Sequence, residues 1–536
     1  MMILKTILQC LVGVIYLMAV IPCVAADPGN TRPNVVVIVV DNVPAKLIGA
    51  YGNKYVETPH IDELAREGMT MDHAFASSGV CSPTRATLLT GLLPSQTGVQ
   101  NALPSDVGLD GWSAIGEFRS LPQTFSDAGY RTGLVGKYHL GVPDEPQLKF
   151  DSWVTFASGH TSSWHDVEVI DNEKTYKTQE HLTDFWSKKA VEFIDRQSES
   201  RPFFLYLSYN GPYMLPPLVL ESAKNRYADY YRANPVPMPH DSIHPFLQNL
   251  VTQAVADSGG GGEFLKGWRA EESGHKSRWS EVAWGMVSAL NNPEALVHAI
   301  SELTMVDEGV GTVLASIREN GLDQNTVVIF TSDQGSALGE HGLWGNSSAA
   351  LPTTAYEENM HIPLIIRHIG KIEEGSRNDE LINQFDLAPT VLDYVGMADK
   401  EFTHSPGRSF SPVLEGETVD SSGPVFFEYM RTRAIRTRDW KLIARFPDGP
   451  NEVYNLRTDP GEYQNLADIP EYSEIQKSLG AQLQAFFDEY ANPEFDSWRG
   501  GSGKAVMEYG DRNQFYKDFF SNWKSPSVSL VPEFSD

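Results

Sequence analysis

The chain has few cysteines, fewer positive than negative charges and, beyond its first 26 residues, no apolar run long enough to cross a membrane. Its 42 Lys and Arg stand against 70 Asp and Glu, which gives a net charge of −28 over 536 residues. Such a field repels nucleic acids and anionic membrane surfaces, so we expect neither as a general partner and no stable membrane insertion. An anionic substrate would therefore need a local group of cations to hold it.

The first 26 residues have the pattern of a secretory signal peptide. Lys5 is their only charge, Ile7–Ile21 is almost continuously apolar, and Val24–Ala26 supplies small residues before the polar Asp27. This pattern predicts export to a secreted or periplasmic location. The alternative is an uncleaved membrane anchor, which is less favoured because the apolar run is at the short end for a span.

Cleavage of this peptide would leave the chain with a single cysteine. It would remove Cys10 and Cys23 and retain Cys81, so no internal disulfide could form. A lone thiol in an oxidising compartment is a liability unless it is buried or consumed by chemistry.

Runs of β-branched residues alternate with helical patterns along most of the chain. Val35–Val40 and Thr326–Thr331 are typical of strands covered on both faces. Further strands are predicted at Gly133–Val135, Phe203–Leu207 and Pro363–Ile366, and helices at Ile61–Arg66, Leu182–Ile194 and Ala299–Asn320. This order predicts an α/β fold with a large, mostly parallel or mixed sheet sandwiched by helices.

Two changes in composition and local sequence pattern indicate how the chain is divided. Residues 213–293 contain prolines, histidines and the Gly259–Gly262 run, which predicts an insertion over one rim of the sheet. From residue 416 to residue 536, short strand-like runs and a helical pattern from Glu474 to Tyr490 predict a smaller subdomain. We expect this C-terminal subdomain to be an antiparallel sheet packed with a helix.

An acidic residue and an amide follow each of the two buried strands directly. Asp41–Asn42 ends the first strand and Asp333–Gln334 ends the second. The carboxyl ends of strands form the ligand crevice of an open α/β sheet. Two carboxylates and two amides offer only hard oxygen donors, which suit Ca²⁺ or Mg²⁺ rather than zinc. For either pair alone, the turn preference of Asp and Asn is the simpler explanation.

The remaining cysteine stands in Cys-Ser-Pro-Thr-Arg, before a short helical pattern closed by glycine. Cys81 would lie near a helix N-terminus, where free amides favour an anion or a reactive oxygen. Arg85, one turn later, could reach the same point. Lys137 and His139 lie two residues apart between glycines, and in an extended segment they would face the same side.

These motifs in this order resemble the type I, formylglycine-dependent sulfatases of the alkaline phosphatase superfamily, the arylsulfatase-like enzymes. The resemblance covers most of the mature chain, and Cys-x-Pro-x-Arg followed by Leu-Thr-Gly is its most specific part. Other matching segments are Thr58–Ala65, Gly136–Gly141, Gly339–Gly345, Phe385–Thr390, Trp440–Ile443 and Asn455–Glu462. The resemblance implies that residues 27–415 form the sulfatase catalytic domain.

The resemblance also implies a modified residue and a metal site. A formylglycine-generating or sulfatase-maturing enzyme would convert Cys81 to formylglycine, whose hydrate supplies the nucleophilic oxygen and a metal ligand. The cation would be Ca²⁺, with Mg²⁺ as the alternative. Its other implied ligands are Asp41, Asn42, Asp333 and Gln334.

The roles of the remaining matched residues follow from the same resemblance. Arg85 and Lys137 would neutralise charge on the nucleophile and on the sulfuryl oxygens, and His139 would accept the proton that allows sulfate to leave. The implied reaction is hydrolysis of a sulfate ester, with a sulfated carbohydrate as the leading substrate and another sulfated small molecule as the alternative.

The sequence departs from the family pattern where relatives contact sulfate or protonate the leaving oxygen. Tyr213 and Asn346 stand where relatives commonly place His and Lys, and Asn42 and Gln334 replace the usual Asp and Asn. With Tyr213 and Asn346, His165 completes the set of candidate substrate-binding residues. Other histidines that could supply the missing proton are His160, His240 and His244.

Several readings of these departures remain open. Tyr213 could protonate the leaving oxygen as a weak acid, or it could only line the site while a histidine donates the proton. Alternatively, the leaving group could be a phenol that needs little protonation. The enzymatic alternative is a phosphonate or phosphodiester hydrolase of the same superfamily. The non-enzymatic alternative is a catalytically impaired protein that binds sulfated glycans.

Overall fold

The computed structural model describes residues 32–103, 111–156, 159, 163–197, 201–239, 241–248, 285–350, 352–398, 404–418, 423–446 and 449–504. The predicted signal peptide, residues 1–26, and the Gly259–Gly262 run lie outside the described residues. Within these ranges, no helix combines the length and the apolar character that a membrane span requires.

The structure has a strand at each of the five strand segments predicted for the large sheet, although Pro363 itself precedes the strand that begins at Leu364. In chain order they are β1 Asn34–Asp41, β2 Met69–Phe75, β3 Arg131–Gly136, β4 Ser152–Phe156, β5 Val167–Asp171, β6 Lys174–Thr178, β7 Phe203–Pro212, β8 Thr326–Ser332, β9 Ala337–Leu338, β10 Trp344–Gly345, β11 His361–Ile362, β12 Leu364–Arg367, β13 Ser376–Asn383, β14 Val425–Tyr429, β15 Thr432–Arg436, β16 Trp440–Arg445 and β17 Glu452–Asn455.

The helices also include those predicted from the sequence. In chain order they are α1 Pro59–Arg66, α2 Cys81–Thr90, α3 Pro94–Thr97, α4 Leu121–Asp127, α5 Leu182–Asp195, α6 Ala228–Ala233, α7 Pro293–Glu319, α8 Glu357–Met360, α9 Leu387–Tyr394, α10 Ser411–Leu414 and α11 Ser473–Tyr490. Short 3₁₀ turns include Leu218–Leu220, Glu340–Gly342 and Ser347–Ala349.

The large sheet is mixed, with a parallel centre. Its strand order is β11-β2-β12-β8-β1-β7-β3-β4-β5-β6, and β13 pairs with β2. Strands β8, β1, β7, β3 and β4 run parallel, whereas β12 and β5 pair antiparallel at either side of them. The predicted fold class is confirmed.

Strand β1 is apolar on both faces because it separates two cores. Val36, Ile38 and Val40 lie in the core that includes side chains of α5 and α7. The alternate residues Val35 and Val37 lie in a second core, which α2, α4 and α9 cover. A strand buried on both faces shows no alternation of polar residues, which explains its continuous β-branched sequence.

The C-terminal segment forms the predicted small antiparallel sheet, β14-β15-β16-β17, with α11 packed on it. Leu479, Leu483 and Phe487 of α11 share a core with Ile435 and Leu442 of the sheet. The chain from Pro33 onward forms one compact unit, so the boundary at residue 416 stays a prediction.

Part of the predicted insertion lies against the loop that follows β8. The Asp241 carboxylate accepts hydrogen bonds from the backbone N–H of His341 and the hydroxyl of Tyr463, each at 2.8 Å. Trp344 donates its indole N–H to the carbonyl of Met214 at 2.8 Å. These contacts place Met214 and Asp241 beside the segment that follows β8, and the insertion over residues 213–293 stays a prediction.

A buried ionic group ties the small sheet to the segment around α2. Arg433 donates to Glu428 Oε1 at 2.7 Å and to Asp496 Oδ1 at 2.7 Å. The other oxygen of Glu428 accepts from the backbone N–H of Ser95 at 2.8 Å. The guanidinium carbon also lies 3.8 Å from the ring centre of Phe487, so Arg433 is enclosed on several sides.

Replacing Arg433 with Met should destabilise the fold, because two carboxylates would remain buried without a cation. We expect the free energy of unfolding to fall by about 3–5 kcal/mol, the usual range for breaking a buried pair on one side. Arg457→Met is the matched control, since its pair with Asp439 is exposed to solvent and its loss should change stability much less. Urea unfolding followed by fluorescence measures both, and similar shifts for the two variants would contradict the argument.

Candidate active site

The ends of β1 and β8 bring the two acid-and-amide pairs together. These strands are parallel neighbours, with Val40 opposite Ser332. The backbone N–H of Asn42 donates to Asp333 Oδ1 at 3.0 Å, and Gln334 Nε2 donates to Asn42 Oδ1 at 2.6 Å. Asn42 has φ 67°, a left-handed conformation that Asn tolerates better than most residues. The structure therefore places all four predicted side chains next to one another at the carboxyl ends of β1 and β8.

Cys81 lies at the first residue of α2 and faces this point. Its Sγ is 3.5 Å from Asp41 Oδ1 and accepts a hydrogen bond from Gln334 Nε2 at 3.3 Å. Burial, and then the charge of Asp41, raise the pKa of the Cys81 thiol to about 12. At neutral pH the unmodified residue is therefore a protonated thiol, which is a poor nucleophile.

Arg85 bridges the two carboxylates from the next turn of α2. One terminal nitrogen donates to Asp333 Oδ2 at 2.8 Å and to Asp41 Oδ2 at 3.2 Å. The other donates to the carbonyl of Lys137 at 3.2 Å and to the hydroxyl of Ser208. These hydrogen bonds hold the guanidinium from several directions, and all of the side chains involved are buried.

Lys137 directly follows β3 and supplies the second buried cation. Its ammonium donates to Asp41 Oδ2 and lies 5.6 Å from the ring centre of Tyr213. Burial would lower the pKa of Lys137, but the neighbouring Asp41 raises it above its ordinary value, and Lys137 stays charged. For Asp333, burial and the charge of Asp41 raise the carboxyl pKa, and Arg85 opposes the rise.

His139 lies beside the start of α2 in a left-handed turn rather than in the extended segment suggested by the sequence. Its φ is 55°, and its carbonyl accepts from the hydroxyl of Ser82 at 2.9 Å. Ring atom Nε2 lies 2.7 Å from the carbonyl of Leu103. Because a carbonyl only accepts, Nε2 carries the proton, and Nδ1 is the basic nitrogen of the neutral ring.

The residues at the departures from the family pattern also reach this site. The carbonyl of Tyr213 accepts from Asn42 Nδ2 at 2.8 Å, and its own φ is 61°. Asn346 donates through Nδ2 to Asn42 Oδ1 at 3.3 Å. The ring of Tyr213 thus lies over the ammonium of Lys137, and Asn346 places a neutral amide beside Asn42.

The histidines proposed as proton donors lie in different surroundings. His165 is exposed, and its ring meets that of His181 edge to face, with centroids 5.1 Å apart. His244 is buried, accepts from the backbone N–H of Phe246, and has its pKa lowered to about 4 by burial. His160 and His240 lie outside the described residues.

The donor set suits a hard divalent cation. Ligand atoms of Asp41, Cys81 and Asp333 lie within 4.8 Å of one another, and the Asn42 and Gln334 amides adjoin them. A half-turn of the Gln334 amide would exchange its oxygen and its nitrogen and so direct the oxygen toward a cation. Thr84 Oγ1 lies 3.1 Å from Gln334 Oε1 and, as a hydroxyl, could pair with either amide atom. Carboxylates and amide carbonyls are ligands typical of Ca²⁺.

Several contributing residues were not predicted from the sequence. Ser208 binds Arg85, and Gln384 Nε2 donates to the carbonyl of Asp333 at 2.7 Å. Ser208 follows the strand predicted at Phe203–Leu207, so a longer strand would have included it. Gln384 follows β13, and its position after a strand is the signal that could have identified it.

The chain is similar to proteins of one family over most of its length. A family model described as Sulfatase matches residues 33–397, and another, described as N-sulphoglucosamine sulphohydrolase, C-terminal, matches residues 339–489. N-acetylglucosamine-6-O-sulfatase of Bacteroides thetaiotaomicron is 26% identical over 526 residues, covering 90% of this chain and 90% of that protein. A multifunctional alkaline phosphatase superfamily protein of Trinickia caryophylli is 28% identical over 525 residues, covering 84% of this chain and 96% of that protein.

The fold of this chain is similar to that of a solved structure. It was determined in complex with its substrate, D-glucosamine-2-N,6-O-disulfate, and has a TM-score of 0.67 and 25% identity to this chain. The match covers 86% of this chain and 98% of the other. Because the first family model spans more than half of the residues and the fold agrees, the chain belongs to the sulfatase family, sulfuric ester hydrolases with the alkaline phosphatase-like fold.

Proposed function

We propose that this protein is an exported, calcium-dependent formylglycine sulfatase that hydrolyses a sulfate ester on a carbohydrate to an alcohol and inorganic sulfate. The observation that carries the proposal is the position of Cys81 between Asp41 and Gln334, with Arg85 and Lys137 bound to the same carboxylate. The relative and the solved structure named for amino-sugar substrates support a carbohydrate as the substrate class.

The proposed nucleophile explains why a buried thiol occupies the centre of the site. A thiol with a pKa of about 12 supplies almost no thiolate at neutral pH. Conversion of Cys81 to formylglycine by a maturation enzyme would replace sulfur with a hydrated aldehyde. Once formed, the hydrated formylglycine would supply a hydroxyl nucleophile, and Ca²⁺ held by Asp41, Asn42, Asp333 and Gln334 would supply positive charge beside it.

The chain's own residues then bind and orient the substrate. Arg85, held by both carboxylates, and Lys137, held by Asp41, present fixed positive charge to the sulfuryl oxygens, and this charge needs no reorganisation during the reaction. His139 keeps Nε2 protonated against the carbonyl of Leu103, so Nδ1 would be the ring atom that accepts the proton whose removal allows sulfate to leave. Tyr213, Asn346 and His165 are the residues proposed to contact the rest of the substrate.

The phosphonate or phosphodiester hydrolase remains the enzymatic alternative because the same groups could act on a tetrahedral phosphorus centre. The similarity to the multifunctional relative supports this alternative activity. Measuring sulfate and phosphate released from matched esters separates the two activities. The glycan-binding alternative predicts binding without turnover, whereas the described site retains the nucleophile position, Arg85, Lys137 and His139.

The first prediction from the proposed function concerns the chemical state of residue 81. In protein exported by its native host, the peptide from Ser78 to Arg85 should be lighter by the difference between a thiol and an aldehyde. Peptide mass spectrometry measures this, and Cys81→Ala, which offers no sulfur to convert, is the control. An unmodified Cys81 in active protein would contradict the proposed nucleophile.

The second prediction concerns the metal. Asp333→Asn should lower the affinity for Ca²⁺ by at least about tenfold, the loss that even outer-shell changes cause at metal sites. Calorimetric titration of chelator-treated protein with Ca²⁺ measures the affinity. Asp307→Asn is the matched control, because Asp307 is equally buried but accepts from the backbone of His60 and Ile61. Equal effects of the two variants would exclude Asp333 as a ligand.

The third prediction concerns His139. His139→Ala should release about one equivalent of alcohol per active site rapidly and then turn over slowly, as expected when a later step loses its base. Stopped-flow measurement with an aryl sulfate detects this burst. His368→Ala is the control, since His368 is also buried but binds Tyr394. A His139→Ala variant with normal steady-state turnover would show that another group accepts the proton.

A further inference from the structure

The short helix α8 packs directly against the loop that follows β8. The carbonyl of Asn359 accepts from the backbone N–H of Gly335 at 2.9 Å, and Gly335 is the residue after Gln334. A Cβ at Gly335 would lie 2.0 Å from the carbonyl oxygen of Glu358, so only glycine permits this approach. The backbone of Asn359 is therefore tied to the chain one residue beyond the second acid-and-amide pair.

The side chain of Asn359 reaches from this anchored backbone to a second loop. Its Nδ2 donates to the carbonyl of Gly345 at 3.2 Å, and its Oδ1 accepts from the Thr354 hydroxyl at 2.9 Å. Because a carbonyl only accepts, the amide nitrogen must face Gly345, which fixes the orientation of the amide. Asn359 and Thr354 are each 1% exposed, so solvent does not compete for either bond.

The carbonyl of Gly345 belongs to the peptide unit that joins Gly345 to Asn346. A peptide unit is planar, so holding its carbonyl also sets the direction in which the backbone enters Asn346. The side chain of Asn346 donates to Asn42 Oδ1 at 3.3 Å and accepts from the N–H and the hydroxyl of Ser348. The bond from Asn359 thus acts on the Asn346 amide through the backbone.

The residues after Asn346 tie the same turn to the chain before Cys81. The backbone N–H of Ser347 donates to the carbonyl of Gly79 at 3.3 Å, two residues before Cys81. The turn of residues 345–348 is therefore bonded on one side to the segment before α2. On its other side Asn359 bonds it to the loop after β8.

We propose that Asn359 is a positioning residue, whose amide holds the turn of residues 345–348 so that the Asn346 amide stays beside Asn42, ready for the substrate. The inference rests on the proposed function, in which Asn346 contacts the substrate. Without the bond from Asn359, the substrate would have to order this turn on binding, and that cost lowers affinity. Loss of the Asn359 side chain should therefore weaken substrate binding more than it slows the chemical step.

The experiment measures kcat and KM for 4-nitrophenyl sulfate in Asn359→Ala and in the unaltered enzyme. We expect KM to rise by between about twofold and tenfold, the range for one neutral hydrogen bond, while kcat stays within about twofold. A KM that moves by less than about twofold in folded Asn359→Ala overturns the inference.

Asn34→Ala is the matched control. Asn34 is also buried and uses both ends of its amide, donating to Thr326 Oγ1 at 3.2 Å and accepting from the N–H of Phe203 at 3.1 Å. It lies at the first residue of β1, whereas the site lies at the other end of that strand. Its loss should lower stability and leave KM unchanged. A rise in KM equal to that of Asn359→Ala would show that any buried amide has the same effect, which contradicts the inference.

A double variant separates action through Asn346 from a general loosening of the fold. Once Asn346→Ala has removed the amide, adding Asn359→Ala should raise KM by less than about a further twofold, because the two residues act as one unit. If the factors of the two single variants multiply instead, Asn359 does not act through Asn346 and the inference is overturned. An Asn346→Ala variant with the KM of the unaltered enzyme would overturn it as well.

Thr354→Val provides the test if Asn359→Ala does not fold. It keeps the Asn359 side chain but removes the hydroxyl that donates to Oδ1. The amide is then held less firmly, so KM should rise in the same direction by a smaller factor. In that case an unchanged KM, or a rise that persists in full when Asn346→Ala is added, contradicts the inference.

Hydrogen exchange gives a readout that does not depend on turnover. The backbone N–H groups of residues 347–349 are hydrogen-bonded within the turn or to Gly79. Exchange in the peptide that contains them, followed by mass spectrometry, should be at least about fivefold faster in Asn359→Ala and unchanged in Asn34→Ala. Exchange that is unchanged in Asn359→Ala, or equally fast in both variants, overturns the inference.

Failure of the proposed function would look different. Unaltered protein with residue 81 shown to be converted, yet hydrolysing neither sulfate nor phosphate esters, would refute that function. Hydrogen exchange would still decide whether Asn359 holds the turn, because it needs no substrate. Normal hydrolysis of the sulfate ester with kinetic constants that Asn359→Ala leaves unchanged would overturn the inference and leave the proposed function intact.

Discussion

Two buried carboxylates at the ends of neighbouring strands impose the constraint on which the rest of the site depends. Asp41 and Asp333 repel each other, and burial adds to the cost of their charge, as the raised pKa of Asp333 shows. Arg85 donates to both carboxylates and Lys137 donates to Asp41. Removal of either cation would leave a charge without solvent, so β1, β8, α2 and the end of β3 cannot move independently.

The position of residue 81 follows from the same interactions. Arg85 is anchored by both carboxylates, and Cys81 lies one turn earlier on α2, so anchoring the one fixes the other. The small C-terminal sheet supports this helix from outside, because the backbone N–H of Glu428 donates to the carbonyl of Ser77 at 2.9 Å and its carboxylate accepts from Ser95. The small C-terminal sheet thus holds the chain on both sides of α2.

Much of this arrangement could be predicted from the sequence because burial on both faces leaves a clear pattern. The β-branched runs identified β1 and β8, and the polar residues after them identified the two acid-and-amide pairs that meet beside residue 81. The extension of β7 from Leu207 to Pro212 was missed, since Asn210, Gly211 and Pro212 are residue types depleted in strands. Ser208, which binds Arg85, lies in that extension.

Backbone geometry that depends on tertiary packing could not be read from the sequence. Gly136 has φ 105°, and a Cβ there would lie 1.9 Å from the carbonyl oxygen of Ser208, so only glycine fits where the chain turns at the end of β3. This turn carries Lys137 toward Asp41 and leads to the left-handed φ of His139. A glycine before a lysine is common in exposed loops, and only the neighbouring strand β7 makes this one a requirement.

Burial has opposite consequences for sulfur and for an anionic oxygen at residue 81. For the thiol it raises the pKa to about 12 and removes the reactive form. For an oxygen nucleophile that shares the site with a divalent cation, the exclusion of water strengthens the attraction between opposite charges. The site therefore makes the cysteine inert, and it would favour the charged form of an oxygen nucleophile at the same position. The burial of Cys81 among balanced charges thus supports the proposed conversion to formylglycine, because the same surroundings that suppress a thiolate would stabilise an anionic oxygen beside a cation.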